Sequence, residues 1–328
     1  MAERSKKIEF FDREKLTKIN LETIKLWNKY KIDMSIRELS PKTIAGYEND
    51  LQQWWIYIYD NQDNKSILEI KEDDITEFLF YCKSNGNNSR RMKRRMASIS
   101  AFYKYLRKKR IVVESPMEFI DRPRKDTNVV VQTYLTSEQV QMIQNKLDDK
   151  IESVDNLLQK HYYFQLKCYA MFALSTMARV NALSNVQWKQ IDLENRIVAD
   201  VVEKEGYVVE LYFSKEVKDL LIQLQNMRKE ININDNGWLF VGNSNGSYSQ
   251  MKNSSLNQWC KVIGNLIGVD TLHDHDFRHS GATLLKDNGM QLEEVSKLLH
   301  HASTDVTSKF YIKYNEGQLR ENKDKYEI

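Results

Sequence analysis

Five of the six histidines in this 328-residue chain fall between His273 and His301, and an arginine sits among them. His273-Asp-His275-Asp-Phe-Arg278-His279 reads as the start of a helix that Asn288-Gly289 would end. On a helix His275 and Arg278, three apart, share a face. Together they would present one permanent cation and one titratable donor to the same anion. A histidine cluster also suits zinc. Against a metal, the arginine would repel a cation, and neither a cysteine nor HExxH spacing accompanies the cluster. The expectation is therefore no metal and no cofactor. A second chemical signal lies upstream, where Ser89 to Arg110 holds ten basic residues and no acidic one. Arg90, Arg91, Lys93, Arg94 and Arg95 are its densest run, and Met92, Met96, Ile99, Phe102, Tyr103 and Leu106 thread through the segment. A helix would bury the apolar stripe and turn the cations toward phosphates. The alternative is a solvated charged face.

The bulk composition limits what surrounds these residues. The length suits two domains, and 41% apolar residues can supply their cores. No run of about 18 apolar residues suggests a membrane span, and Met1 to Lys7 lacks the apolar run of a signal peptide. Cys82, Cys168 and Cys260 are far apart, which fits buried thiols in a reducing cytosol. A cytoplasmic location is expected. The net charge of +3 is unevenly divided: 27 Lys and Arg against 20 Asp and Glu through Val131, then 22 against 26. Polyanion binding is thereby assigned to the first half. Any positive site in the second half must be local.

The elements that position these groups are legible in part. Phe10 to Tyr30 reads as a helix. Ser40-Pro41 is an N-cap with proline at the first helical position, followed by Ile44, Tyr47, Leu51, Trp54 and Ile58 as one stripe. Helices also cover Glu72 to Cys82 and Ser89 to Arg110. Glu114 to Asn128, with Pro116 and Pro123, reads as a linker, and Thr136-Ser-Glu-Gln139 has capping-box spacing. A boundary near residue 130 follows: a helical domain over 1–130, with a helical extension over 1–37, and a second domain over 131–328. In the second domain, helical patterns cover Tyr162 to Leu174, Lys215 to Lys229, Ser254 to Leu266 and Leu292 to His300. Arg196 to Val202 and Val208 to Phe213 are β-branched and aromatic runs joined by Glu203-Lys-Glu-Gly206, a hairpin pattern. The fold class expected is mainly α with a small antiparallel sheet.

With the elements in place, the residues carry a resemblance. His275-Asp-Phe-Arg278-His279-Ser280 resembles the H-x-x-R box of the tyrosine recombinases, the phage integrase family. Leu298-Leu-His-His301-Ala-Ser303 resembles that family's L-L-G-H-x-S box, and Tyr311 stands ten residues after His301, near the spacing of the family's nucleophile. Ala173-Leu-Ser-Thr-Met-Ala-Arg179-Val resembles the box that holds its first arginine, and Lys204 matches its hairpin lysine. Ser40 to Tyr47 and Ile99 to Leu106 resemble its helical core-binding domain, so the likeness runs from about Glu38 to Tyr314. Three positions depart from the pattern. Met177 replaces a usual glycine two before the arginine, Ala182 replaces a usual acid three after it, and His300 replaces the glycine before the box histidine.

The resemblance implies a recombinase that cuts and rejoins double-stranded DNA through a 3′-phosphotyrosyl link, without ATP or metal. Arg179 and Arg278 would hold the non-bridging oxygens, Lys204 would protonate the leaving 5′ oxygen, and His275 and His301 would donate hydrogen bonds or carry protons. His300 is the alternative to His301. Four protomers would exchange strands between two sites through a Holliday junction, with accessory DNA-bending or directionality proteins as compatible partners. Integration, excision, resolution or inversion of a mobile element would be the setting. The rivals are a type IB topoisomerase and an inactive, integrase-derived DNA-binding regulator. A free phenol titrates at about 10, so the nucleophile needs an electropositive site. Tyr311→Phe is expected to bind its DNA site without forming a covalent adduct, whereas Tyr314→Phe still forms one. Peptide mapping of protein trapped on a nicked suicide substrate checks this, and finding the DNA on Tyr314 would reverse the assignment.

Overall fold

The computed structural model describes residues 12–124, 134–203 and 206–300, together with Thr304 and Lys323. Lys204, His301, Tyr311 and Tyr314 lie outside the described residues. The chain divides into two compact units, Met1–Val131 and Gln132–Ile328.

The first unit is built of helices α1 (Arg13–Thr17), α2 (Leu21–Ile36), α3 (Pro41–Asn61), α4 (Glu72–Ser84) and α5 (Ser89–Lys108). The single helix expected across Phe10 to Tyr30 is broken at Asn20. Its side chain caps α2 by accepting from the Glu22 and Thr23 amides. The break is held from a distance, since Asn64 accepts from the Asn20 amide at 3.0 Å and donates to the Lys18 carbonyl at 2.9 Å. No local pattern could show that contact. Ser40 caps α3 by accepting from the Thr43 amide, with Pro41 behind it. Trp54 in the stripe it opens lies against Tyr103, and its neighbour Trp55 packs on Phe102 and on Trp27, the latter edge to face at 5.6 Å.

Under the basic face of α5 lies a carboxylate. Asp50 on α3 is buried, forming ion pairs with Arg91 at 2.8 Å and Arg94 at 3.0 Å and accepting from the Ser98 hydroxyl at 3.0 Å. Part of the basic run therefore answers a charge inside the unit. Arg95 is not on the outer face at all. It is three residues from Met92 and four from Ile99, so it shares their buried side. Its guanidinium donates to Asn87 and Gln53, each at 2.8 Å, and lies over the Phe78 ring. That corrects the expectation that Arg95 faces DNA. Arg90 and Arg94 are exposed, and Arg91 and Lys93 are half-buried.

The second unit contains α6 (Ser137–Glu152), α7 (Leu157–Thr176), α8 (Val180–Asn185), β1 (Ile191–Asp192), β2 (Ile197–Val202), β3 (Val208–Tyr212), α9 (Lys215–Glu230), β4 (Val241–Ser244), β5 (Ser247–Gln250), α10 (Asn253–Leu266), α11 (Asp274–Asp287) and α12 (Leu292–Leu298). Helix α7 is apolar on nearly every side, from Phe164 to Leu174, and so becomes the axis on which α6, α9 and α11 pack. Strands β1, β2 and β3 form an antiparallel sheet in that order, and β4 and β5 form a separate hairpin. The latter turns through Asn245-Gly246, both at positive φ, a two-residue turn suited to strand twist. Its strands are short and polar, which is why their periodicity does not announce them. Arg228 is buried with its charge satisfied by Asp235, Gln165, His161 and the carbonyls of Trp238 and Leu239. Burial, then Arg228 itself, pushes His161 down to about 4, so its ring stays neutral and accepts the Arg228 N–H. This is a structural network. Burial also raises the Cys168 thiol to about 12, so it is inert. No helix among the described residues is long and apolar enough to cross a membrane.

Asp50→Ala removes the acceptor shared by Arg91, Arg94 and Ser98 and is expected to cost about 1–3 kcal/mol. Arg94→Ala, at the more exposed partner, is expected to cost no more than about 1 kcal/mol. Urea unfolding of the full chain followed by tryptophan fluorescence compares the two. Equal losses would mean that Asp50 is not the organising charge.

Candidate active site

Helix α7 ends on a left-handed turn: Met177 caps it at φ +52°, and two residues later Arg179 becomes the N-cap of α8. The usual glycine of this position is explained by that φ. A side chain there costs roughly 1–2 kcal/mol. Helix α11 crosses close to this turn because Gly281 has no side chain. A Cβ on Gly281 would lie 2.3 Å from the Leu174 carbonyl oxygen and 2.8 Å from Met177 Cγ. Arg278 sits three residues before Gly281, on the same face of α11. Its guanidinium is buried, with Nη1 donating to the Met177 carbonyl and Nη2 to the Leu299 carbonyl, each at 2.6 Å. One arginine thus ties the turn before Arg179 to the end of α12.

Arg179 keeps its side chain 33% exposed and pairs through Nη1 with the Glu203 carboxylate. Glu203 follows directly after β2. A register shift between Val198 and Val201, with Asp200 at φ +53°, bulges the strand. Val201 is buried, and Glu203, two residues on, has a side chain only 4% exposed. His300 enters from the other side. It stands at φ +51° just after α12, in the place of the usual glycine, with Nδ1 3.8 Å from Glu203 Oε2. Burial lowers its pKa, and Arg278 and Arg179 add to that, opposed by the Glu203 charge.

His275 occupies the first turn of α11, its ring edge-on to His279 with centroids 4.5 Å apart. Burial, followed by the charges of Arg278, His273 and Arg179, pushes its pKa down to about 4. At neutral pH it is therefore an uncharged imidazole that can donate or accept one hydrogen bond. His273 begins the helix instead: its amide donates to Asp276, and its ring Nδ1 lies 3.2 Å from the same carboxylate. No group of His, Cys, Asp and Glu among the described residues is placed to hold a metal ion.

Of the residues selected from sequence, Arg179, His275 and Arg278 come together around one site. Lys204, His301 and Tyr311 lie outside the described residues, but Glu203 and His300, the residues immediately before the first two, both border on it. Glu203 itself was not selected. The available signal was the missing acid at Ala182, which left Arg179 without a local partner. The charges at hand suit an oxyanion: two guanidinium groups beside a neutral imidazole, in partly buried surroundings where charge interactions are strong.

Residues 133–317 match the phage integrase family, and residues 28–110 match the phage integrase N-terminal SAM-like domain. The tyrosine recombinase XerD of Oceanobacillus iheyensis is 26% identical over 293 residues, which cover 88% of this chain and 93% of its own. The tyrosine recombinase XerC of Pediococcus pentosaceus is 24% identical, with the same 88% and 93% coverage. Among solved structures, the XerH site-specific recombinase bound to palindromic difH substrate, a post-cleavage complex, aligns with a TM-score of 0.69 at 20% identity over 96% of this chain and 93% of that one. The Tn1549 transposon integrase in complex with circular intermediate DNA aligns with a TM-score of 0.65 at 18% identity over 90% and 98%. Those two structures share the mostly helical fold with its small antiparallel sheet.

His300→Gly removes a side chain from a left-handed position and is expected to stabilise by at most about 1 kcal/mol, because glycine also gains entropy in the unfolded chain. Covalent adduct formation on a suicide substrate should persist in this variant and fall in His301→Ala. The opposite pattern would make His300 the histidine that serves the reaction.

Proposed function

The chain belongs to the phage integrase family of tyrosine recombinases, and we propose that it cleaves and rejoins double-stranded DNA through a covalent bond to Tyr311. Oη of Tyr311 gives up its proton to solvent and bonds to the scissile phosphorus, the bond from phosphorus to the 5′ oxygen breaks, and Lys204 gives that oxygen a proton. Arg179 and Arg278 neutralise the non-bridging oxygens as charge builds on them. His275 and His301 donate hydrogen bonds to the same group, and a neutral His275 does so without adding charge. The phosphotyrosyl bond keeps the energy of the broken linkage, so a 5′ hydroxyl from the other duplex can reverse the step. The observation that carries this reading is the convergence of Arg179, from the turn between α7 and α8, with His275 and Arg278, from one face of α11, on one partly buried site.

In the same reading the first unit grips the duplex. Arg90, Arg91, Lys93 and Arg94 contact phosphates, while Arg95 packs beneath them. Four protomers assemble on two DNA sites and pass through a Holliday junction, in the bacterial cytosol, in the service of a mobile element. The XerH structure, bound to difH substrate, and the Tn1549 integrase structure, in complex with circular intermediate DNA, support DNA as the partner. The test is a plasmid bearing two copies of the DNA that flanks the gene. Recombinant circles, with a Tyr311-linked intermediate, are expected. Relaxation of a one-site plasmid without recombinants would identify a topoisomerase, and binding without any adduct would identify a regulator.

A further inference from the structure

We propose that Glu203 is the positioning residue for Arg179, doing from the β2–β3 connection what an acid at position 182 would otherwise do from α8. Arg179 begins a six-residue helix and has a long, partly exposed side chain. Left alone, such a side chain samples many rotamers, and a phosphate would have to freeze them on binding. Glu203 removes that freedom. Its carboxylate meets Arg179 Nη1 across 24 residues of sequence. Its other oxygen, Oε1, is buried and has no hydrogen-bond partner among the described residues, leaving it room for a second guanidinium N–H. Arg179 has five donors, so pairing with one carboxylate leaves an edge for phosphate.

The surroundings explain why the acid sits where it does. Ala182 and Glu203 line one cleft of about 310 Å³, together with Asn181 and Val202. The methyl of Ala182 leaves this space open, and the Asp200 bulge delivers Glu203 to its rim. The carboxylate has been moved from the helix to the strand end, with the guanidinium as the fixed point.

This inference rests on the proposed recombinase reading, and the test separates the two. Single-turnover cleavage of a suicide substrate at saturating DNA is measured for the full-length protein, Glu203→Gln, Arg179→Lys and the double variant. Glu203→Gln is expected to cut about 10–100-fold more slowly, as loss of a supporting group commonly does, with DNA affinity and melting temperature unchanged. In the Arg179→Lys background it should add no further loss, because its effect passes through the arginine. Should the amide destabilise the hairpin, Glu203→Met, of similar length and without charge, repeats the cycle. Cleavage at the wild-type rate by Glu203→Gln, or losses that multiply in the double variant, would overturn the proposal and leave the family assignment untouched. A wild-type protein that forms no Tyr311 adduct would instead overturn the proposed function.

Discussion

The catalytic arrangement hangs on two hydrogen bonds from one buried side chain. Arg278 donates to the carbonyls of Met177 and Leu299, the residues that close α7 and α12. Each of those carbonyls sits beside a residue of interest: Arg179 follows Met177 by two, and His300 follows Leu299. An arginine suits this task better than a lysine, because its planar fork fixes two acceptors in direction as well as distance. Gly281 is the steric condition for the bond to form, since any side chain there would push α11 away from the end of α7. The buried guanidinium is thus the clasp that fixes where the neighbouring groups stand.

Two neighbouring positions show what this clasp demands of the backbone. Met177 and His300 both take up the left-handed conformation that glycine adopts freely. The turns persist with bulkier residues because Met177 is buried against Ala282, Val295 and Leu299. Packing and the Arg278 bonds together offset a local cost of the order of 1–2 kcal/mol at each turn. Departures from a glycine pattern in the sequence therefore leave the path of the chain intact.

Much of the frame was readable from local chemistry. Ser40-Pro41, Thr136 to Gln139 and the 3-4 stripes place α3, α6 and α5 because caps and periodicity act within a few residues. The identities of Arg179, His275 and Arg278 were legible through motif spacing. What escaped was long-range. The break at Asn20 depends on Asn64, and the partner of Arg179 arrives from a strand end. The inward turn of Arg95 shows a subtler limit. Its neighbours Arg94 and Arg91 point to the buried Asp50 or outward, while Arg95 joins Met92 and Ile99, and a run of like charges hides that phase.

The Asp50 pocket has a consequence for how this helix would behave toward a polyanion as ionic strength changes. The salt dependence of such binding reflects the counterions released, which follows from the cations that are free to replace them. Arg91 and Arg94 already share an internal carboxylate, and Arg107 and Lys109 lie near Glu118 and Asp33. Arg90, Lys93, Lys104 and Lys108 have no such partner within 4.0 Å among the described residues. The helix thus carries fewer exchangeable charges than its composition implies. Arg91 and Arg94 are held in place by Asp50 before any polyanion arrives, so ordering those two would cost little at the moment of contact. Such a surface trades raw electrostatic pull for a fixed geometry.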